Sequence, residues 1–347
     1  MFNNKHLTPA IFTLLVVLFF SLCIVALLKG PTDISTSQIT EILAQAILHL
    51  DTHSIIDWQQ SIILDIRLPR IIIAVFAGAS LALCGLVMQG MFRNPLASPS
   101  VLGVSSGASL GAVIAIYFGA SLLSAWAIPL FAFIGAGISL SIVYRIASSS
   151  GQTNIATLLL SGVAISALNV AAISLLLAVS LNNWDVARMI IYWTMGGLDG
   201  RTWDHVLIIL PIVFTGFIAL IFYSKQLDLL LLGELHALSV GVDVRKTRRN
   251  LLIISTAMVG ASVSVVGGIG FIGLVVPHIL RLLLGPSHRY LLPASLLGGA
   301  IALLSADLFL NVFFSEQAIP LGVITAMLGA PFFLFLLIKQ RLANGSL

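Results

Sequence analysis

Apolar stretches without a charged residue alternate along the chain with short polar connections. A helix needs about 20 apolar residues to cross roughly 30 Å of hydrocarbon, and most of these stretches reach that length. Residues 95–144 carry no charge at all, which is enough for two spans broken near residues 121–127. The pattern predicts ten spans, at residues 10–28, 71–92, two within 95–144, one from residue 155, and 206–223, 251–267, 269–284, 291–306 and 318–338.

The connection between the first two spans, residues 29–70, is the longest predicted segment outside the membrane. Residues 37–50 within it have apolar side chains at helical spacing, which predicts a short helix lying along the membrane or capping the bundle. The positions in that stripe are Ile39, Ile42, Leu43, Ala46, Ile47 and Leu50. Because no connection is long enough for a sizeable further domain, residues 1–347 are predicted to form one transmembrane domain.

The composition supports an all-α integral membrane protein. Hydrophobic residues make up 59% of the chain and charged residues only 9%, whereas soluble proteins average about 45–50% and about 25%. These values exclude a soluble enzyme and a nucleic-acid-binding protein, and they make membrane lipid the surrounding medium. Both cysteines, Cys23 and Cys84, lie inside apolar stretches, where neither a disulfide nor a metal site is expected.

The basic residues favour an orientation with both termini on the cytoplasmic side. In that orientation twelve Lys and Arg residues lie inside and five outside, as the positive-inside rule requires. The outside group is Lys29, Arg67, Arg70, Arg188 and Arg201, and the inside group is Lys5, Arg93, Arg145, Lys225, Arg245, Lys246, Arg248, Arg249, Arg281, Arg289, Lys339 and Arg341.

The sequence lacks the motifs that a transporter or an enzyme working without partner subunits would need. It contains no G-x-x-x-x-G-K-[ST] loop for ATP, and no nucleophile–base or metal-ligand cluster stands out, so we expect no catalytic residue, metal or cofactor. Ion-coupled transporters place ionisable groups at membrane depth, whereas Asp307, Arg281 and His278 lie near the ends of their predicted spans. A transport subunit powered by a separate energy source fits these absences.

Four motifs at separate places in the chain indicate which family of transport proteins the sequence resembles. They are Arg67-Leu68-Pro69-Arg70 with Arg93-Asn94-Pro95-Leu96-Ala97, then Gly233-Glu234 with Ala237 and Gly241, then Gly268-x-Gly270-Phe271-Ile272-Gly273 continuing to Pro277-His278 and Arg281, and finally Ile319-Pro320-x-Gly322 continuing to Pro331. In this order and spacing, from about residue 60 to the C-terminus, they resemble the FecCD-type permease family of bacterial importers for iron chelates, haem and cobalamin.

The resemblance implies a type II ABC importer permease with ten spans in the bacterial inner membrane. Such a permease forms a homodimer around a central path. Two cytoplasmic ATPase subunits dock beneath it and a periplasmic substrate-binding protein docks above. Transport would proceed by alternating access, with no chemistry in this chain. Iron chelates are our first choice of cargo because they are the commonest in the family, with haem and cobalamin as the alternatives.

The resemblance also assigns roles to residues at both ends of the spans. Arg67 and Arg70 correspond to arginines that receive an acidic residue from one lobe of the binding protein, although snorkelling at the membrane interface is the simpler interpretation. The family commonly has another arginine where this chain has Asn311, after Ala306-Asp307. The second lobe would therefore dock differently, through Arg188 or Arg201.

Residues 224–250 correspond to the cytoplasmic element that contacts the ATPase, with Gly233, Glu234, Ala237 and Gly241 as its key positions. The alternative is an ordinary surface loop with Gly241 capping a helix. The nearby Arg245, Lys246, Arg248 and Arg249 are interpreted as anchors to anionic lipid. Candidates for helix breaks beside the path, or for ordinary helix ends and tight packing, are Asn94, Pro95, Gly103, Gly107, Gly268 and Pro277.

Two functions of other classes remain open. A secondary transporter would need a coupling carboxylate, for which Asp307 is the candidate. A structural or signalling membrane subunit would move no cargo with any partner.

Overall fold

A computed structural model describes residues 7–48, 57–122, 124, 126–148 and 155–343, and within these residues the secondary structure is helical, without strands. Seven helices are long and apolar enough to cross a membrane, and three shorter apolar helices bring the total to ten. The predicted all-α fold with about ten membrane helices is confirmed. The helices are α1 (Leu7–Leu28), α2 (Thr36–Leu48), α3 (Asp57–Phe92), α4 (Val104–Tyr117), α5 (Ala127–Ala147), α6 (Ile155–Ser180), α7 (Trp184–Met195), α8 (Trp203–Phe222), α9 (Ser224–Leu232), α10 (Glu234–Ser239), α11 (Val244–Val266), α12 (Ile272–Leu284), α13 (His288–Phe313) and α14 (Leu321–Ala343).

Helix α3 is the centre of the bundle. It is buried along most of its length and packs against α8, α11, α12 and α13. Its contact with α13 is close because Gly78 meets Gly299, and a methyl group added to either glycine would overlap the other's carbonyl oxygen. Lipid provides little hydrophobic drive for helix association, so small residues that allow such close packing hold membrane helices together.

The candidate glycines Gly103 and Gly107, which lie at and in α4, have different roles. Gly107 and Gly111 face the backbone of α5, where a methyl group on Gly107 would meet Gly135 and Ser139. Gly103 instead precedes α4 with a φ of 77°, a left-handed conformation that glycine adopts without strain. Tight packing therefore accounts for Gly107, and a helix start accounts for Gly103.

The second span begins fourteen residues earlier than predicted, at Asp57 rather than residue 71. Its first part includes a π-helical segment, Ile62–Arg67, and continues without interruption through Pro69. The charged residues Asp65, Arg67 and Arg70 hid this extension, because a charge-free stretch was the criterion for a span. At this end of the bundle Arg67 and Arg70 have hydrogen-bond partners elsewhere in the chain.

Helix α7 was not predicted, since its residues fell in a presumed outer connection. Asn183 accepts a hydrogen bond from the backbone N–H of Val186 and so caps the helix start. Ala187, Ile190 and Trp193 are buried on one side of the helix, which packs against α4 and α6. An amphipathic helix of twelve residues is too short to satisfy a membrane-span criterion.

The predicted helix at residues 37–50 is present as α2, and it caps the bundle. Ile39 and Ile42 are buried with Ile34 and Ile63, so the first part of the apolar stripe packs on the start of α3. Ala46 is exposed, and the Ile47 side chain lies outside the described part of the structure. Leu50 lies outside the described residues.

The predicted boundary between the spans 251–267 and 269–284 separates α11 from α12, but α12 begins only at Ile272. The backbone of Gly268 meets Gly196 after α7 and Gly322 at the start of α14, so three chain segments cross within van der Waals distance. Pro277, predicted at a helix break, lies instead inside the continuous helix α12. The prediction of a break at Pro277 is wrong because a proline six residues into a helix need not end it when the neighbouring helices fix its backbone.

Candidate functional site

The charged side chains that enter the bundle gather at its two ends. Helices α3 and α13 run antiparallel, so that Arg70 meets Asp307 at one end and Gly90 meets His288 at the other. By the positive-inside rule the Arg70 end is the outer end and the His288 end is the inner end.

Four residues form a cluster at the outer end, which we call the Arg70 cluster: Arg70, Asp199, Asp307 and Asn311. Arg70 donates from Nε to both carboxylate oxygens of Asp307, at 3.1 and 3.0 Å, and from Nη2 to Oδ1 at 2.8 Å. Asn311 donates to Asp307 Oδ2 at 3.1 Å. The other guanidinium edge of Arg70 donates from Nη1 to Asp199 Oδ1 at 2.6 Å.

The two carboxylates of the Arg70 cluster differ in burial. The Asp307 side chain is 4% exposed, that of Arg70 19% and that of Asp199 81%. Asp307 thus neutralises a largely buried cation with fork geometry, whereas Asp199 holds it through one contact from the solvent side. Asp307 lies near the end of its span and is paired, which differs from a free coupling carboxylate at mid-membrane.

Arg67 points into the protein. It is 6% exposed, and it donates from Nη1 to the carbonyl oxygen of Leu27 at 2.8 Å and from Nη2 to that of Thr32. These carbonyls lie at and beyond the C-terminal end of α1, where unpaired carbonyl groups and the helix dipole favour a cation. A cavity of about 260 Å³ lies beside Arg67 and Arg70 and reaches Asn311.

The two alternative outer arginines are in different environments. Arg188 on α7 is exposed, and its guanidinium carbon lies 5.5 Å from the centre of the Tyr192 ring. Arg201, in the connection between α7 and α8, is largely covered. Burial lowers the pKa of Arg201, and the nearby Asp199 carboxylate offsets part of that effect.

At the inner end, the predicted coupling positions form a tight helical hairpin. Gly233 has a φ of 124° and joins α9 to α10, a conformation that disfavours any residue with a Cβ. Ala237 is fully buried, and its carbonyl oxygen accepts the Val242 N–H at 3.0 Å. Gly241 has a φ of 85° just after α10. The structure therefore brings Gly233, Glu234, Ala237 and Gly241 into one compact element.

Two side-chain pairs hold this hairpin to the bundle. Glu234 forms an ion pair with Arg248 of α11, whose side chain is only 5% exposed. The interpretation of Arg248 as a lipid anchor is therefore wrong, while Arg245, Lys246 and Arg249 are exposed. Asp228 on α9 accepts the His288 backbone N–H at 2.8 Å and lies 2.7 Å from His288 Nδ1.

The Asp228 carboxylate remains ionised because of these contacts. Partial burial raises its pKa, but the hydrogen bonds from the His288 side chain and backbone, with a further one from Ser287, outweigh that effect. The pKa of Asp228 is therefore below its ordinary value.

The hairpin also presents apolar side chains to solvent. We call these residues the apolar tip: Leu232, Leu235, Leu238 and Val240. Leu235 is 84% exposed and the other three are more than half exposed. The apolar tip precedes the exposed basic residues Arg245, Lys246 and Arg249 in the chain, and exposed leucines clustered in this way form a candidate interaction surface.

Of the remaining helix-break candidates, Asn94 and Pro95 lie in a turn and Gly268 lines a cavity. Arg93, in the left-handed conformation, ends α3, and Asn94 Oδ1 then accepts the Leu96 N–H at 2.9 Å, so that Asn94 and Pro95 form the turn. The segment after this turn contains Ser98 and Ser100, which line a cavity of about 340 Å³ together with Gly268. Pro277 does not line this cavity.

Sequence reasoning missed Asp199, Asp228 and the pairing of Glu234 with Arg248. Asp199 is 129 residues from Arg70 in the chain, so no local pattern could join them. Glu234 and Arg248 are fourteen residues apart across a hairpin whose path only the fold defines. Among the described residues, no group of three or more His, Cys, Asp or Glu side chains is placed to hold a metal ion.

The described residues form a multi-pass helical membrane bundle with a closely packed apolar interior and with charged clusters at its two ends. Comparison with known proteins specifies the class. The model of the FecCD transport family matches residues 14–339, so the chain belongs to the FecCD transport family of permeases.

Curated relatives and a solved structure agree with that family. The cobalamin import system permease protein BtuC of Halobacterium salinarum is 46% identical over 278 residues, covering 80% of this chain and 73% of that protein. The hemin transport system permease protein HmuU of Yersinia pestis is 42% identical over 281 residues, covering 80% and 83%. A metal-chelate type ABC transporter solved in an inward-facing conformation matches with a TM-score of 0.83 and 32% identity, covering 95% of this chain and 99% of that chain.

Proposed function

We propose that this chain is the membrane-spanning subunit of an ATP-driven importer of a metal chelate in the bacterial inner membrane. It works as a homodimer by alternating access, with both termini in the cytoplasm and with residues 1–347 as one transmembrane domain. ATP hydrolysis belongs to a separate pair of ATPase subunits. The observation that carries this proposal is the family match over residues 14–339.

Cobalamin or haem is the first cargo to test, ahead of ferric siderophores. The relatives at 46% and 42% identity are named as cobalamin and hemin permeases. These names favour cobalamin or haem as the cargo over a ferric siderophore, which was the first choice because such cargoes are the commonest in the family. All three are bulky chelates, so the same path suits each.

The apolar tip and its hairpin are the proposed contact with the ATPase. Exposed Leu235 is suited to a hydrophobic groove on another protein. The pairs Glu234–Arg248 and Asp228–His288 tie the same hairpin to α11 and α13. Movement of the ATPase would thus be transmitted to two membrane helices as a change between two packing arrangements.

The outer end is the proposed contact with the periplasmic binding protein. One lobe docks at Arg67 and Arg70, where Arg67 acts by holding residues 27–32 beside Arg70. The second lobe docks at Arg188, which is exposed where Arg201 is covered. Charges of this kind contribute mainly to the association rate and to orientation.

The test is uptake into proteoliposomes that contain the permease with its co-purified ATPase. Cobalamin, haem and a ferric siderophore are offered separately, each with its binding protein. Each cargo is measured with ATP in the compartment facing the ATPase, with a non-hydrolysable ATP analogue, and with an ion gradient alone.

Uptake that requires hydrolysable ATP is the expected result, and the responding cargo identifies the chelate. Uptake driven by a gradient without ATP would favour a secondary transporter and overturn the proposal. Absence of uptake for every cargo, with an ATPase that hydrolyses ATP, would favour the structural or signalling subunit.

A further inference from the structure

The Arg70 cluster contains one carboxylate more than the buried charge of Arg70 requires. Asp307, buried and held through three contacts to the Arg70 guanidinium, already neutralises it. Asp199 adds a second negative charge through one contact to Nη1. An exposed ion pair of this kind adds little stability, so stabilising the fold does not explain its presence.

The connection that carries Asp199, between α7 and α8, is held in place because the Gly197 N–H donates to the Val266 carbonyl oxygen at 2.9 Å and the Leu198 side chain is buried. Asp199 itself can leave Arg70 by rotation of its side chain. Its side chain is 81% exposed. Its departure would uncover Nη1 of Arg70 while Asp307 and Asn311 continue to hold the rest of the guanidinium in place.

Room for another carboxylate exists at the same point. A cavity of about 280 Å³ is lined by Arg70, Asp199, Asn311 and Glu316 and opens at the outer end of the bundle. The Nη1 edge of Arg70 faces outward, fixed by its buried partner, which is the arrangement that recognises a carboxylate with little loss of side-chain entropy.

We propose that Asp199 occupies the position on Arg70 that a carboxylate of the docking protein takes, and that docking displaces it. Asp199 is then a built-in competitor that keeps the docking edge of Arg70 satisfied when the binding protein is absent. The partner this surface fits is a protein with an acidic side chain at the corresponding point of its surface. This inference rests on the proposed docking of a binding protein at the outer end.

The competition predicts a mutational effect larger than the change in charge alone would give. Removing an acidic residue from the docking surface should accelerate association beyond the general electrostatic effect, because no internal contact has to break. Glu316 supplies the matched control, since it lines the same cavity but forms none of the ion pairs found for Arg70 among the described residues.

The experiment measures association of the full permease–ATPase complex in nanodiscs with the binding protein that supports uptake. The variants are Asp199→Asn, Glu316→Gln and Arg70→Gln, together with Arg70→Gln combined with each of the other two. We expect Asp199→Asn to raise the association rate constant about two- to fivefold, the range for an exposed ion pair. Glu316→Gln should give a smaller rise that is unchanged by Arg70→Gln, whereas the rise from Asp199→Asn should fall to the size of the Glu316→Gln rise in that background.

The outcomes separate the inference from the proposed function. If Arg70→Gln slows association but Asp199→Asn behaves as wild type or as Glu316→Gln, the competitor role is wrong while docking at Arg70 stands. If wild type binds no such protein, or if Arg70→Gln leaves association unchanged, docking at Arg70 fails and the inference fails with it. Should Arg70→Gln not yield folded protein, the comparison of Asp199→Asn with Glu316→Gln decides alone.

Discussion

Replacing Asp307 by asparagine should destabilise the permease far more than replacing Asp199. Asp307→Asn leaves the shape nearly unchanged but removes the charge that neutralises Arg70 inside the bundle. Arg70 loses charge-assisted contacts at 2.8, 3.0 and 3.1 Å and keeps only the exposed contact with Asp199.

The magnitude follows from burial. Removing one partner of a buried ion pair costs about 3–5 kcal/mol, and the 19% exposure of Arg70 moves the expectation to about 2–4 kcal/mol. Asp199→Asn breaks a solvent-exposed pair and should cost about 0–1 kcal/mol. For a chain of this size, the Asp307 variant should lower Tm by on the order of 5 °C.

The assay is thermal unfolding of the detergent-solubilised protein, followed by intrinsic tryptophan fluorescence, for wild type and the two asparagine variants side by side. Equal shifts for the two variants, or a larger shift for Asp199→Asn, would refute the assignment of Asp307 as the structural partner of Arg70. The variant also bears on function: a folded Asp307→Asn protein that keeps ATP-driven uptake excludes a coupling role for Asp307.

Three further predictions, two of them with a matched control variant, test the packing and the inner end. Gly78→Ala places a methyl group against the α13 backbone and should lower the free energy of unfolding by about 1–3 kcal/mol. The control Gly137→Ala, whose methyl group meets nothing within 4 Å, should not lower it. Equal melting temperatures for the two variants would contradict the close α3–α13 contact. Arg248→Gln should lower both Tm and ATP-driven uptake. Arg249→Gln, on the same helix but exposed, should change the free energy of unfolding by no more than about 0.5 kcal/mol. A larger loss of stability for Arg249→Gln than for Arg248→Gln would refute the buried pair. Leu235→Ser should weaken co-purification of the ATPase without changing Tm, and a large fall in Tm would show that Leu235 stabilises the permease itself.

The ten-span prediction succeeded because it depends on a property of each segment alone. A charge-free apolar stretch of sufficient length is helical in lipid, whatever surrounds it, since its backbone groups have no other partner. The helix α2 was predictable for a similar local reason, because its apolar residues recur at helical spacing.

The errors all occurred where a neighbouring segment overrides the local pattern. The start of α3 carries Asp65, Arg67 and Arg70, and its extension is possible because other parts of the chain accept two of these charges. Helix α7 is too short and polar to be recognised alone, and Pro277 remains helical inside a packed bundle.

The candidate site divides in the same way. The family resemblance of the motifs proposed Arg67, Arg70 and the hairpin around Gly233 and Gly241 as site positions. Gly233 and Gly241 have positive φ values, a conformation that favours glycine. Which carboxylate each cation meets was not encoded locally. Arg70 pairs with Asp307, which is 237 residues further along the chain, and with Asp199, which is 129 residues further along.

The sequence by itself therefore determined an all-α membrane protein, the number of its membrane helices and the two ends at which its charges lie, because hydropathy and helical periodicity act within a segment. The tertiary structure alone decided which charges are buried and paired and which remain exposed. That outcome depends on helices that are distant in the chain and adjacent in space, so the difference between Asp307 and Asp199 is a property of the assembled bundle.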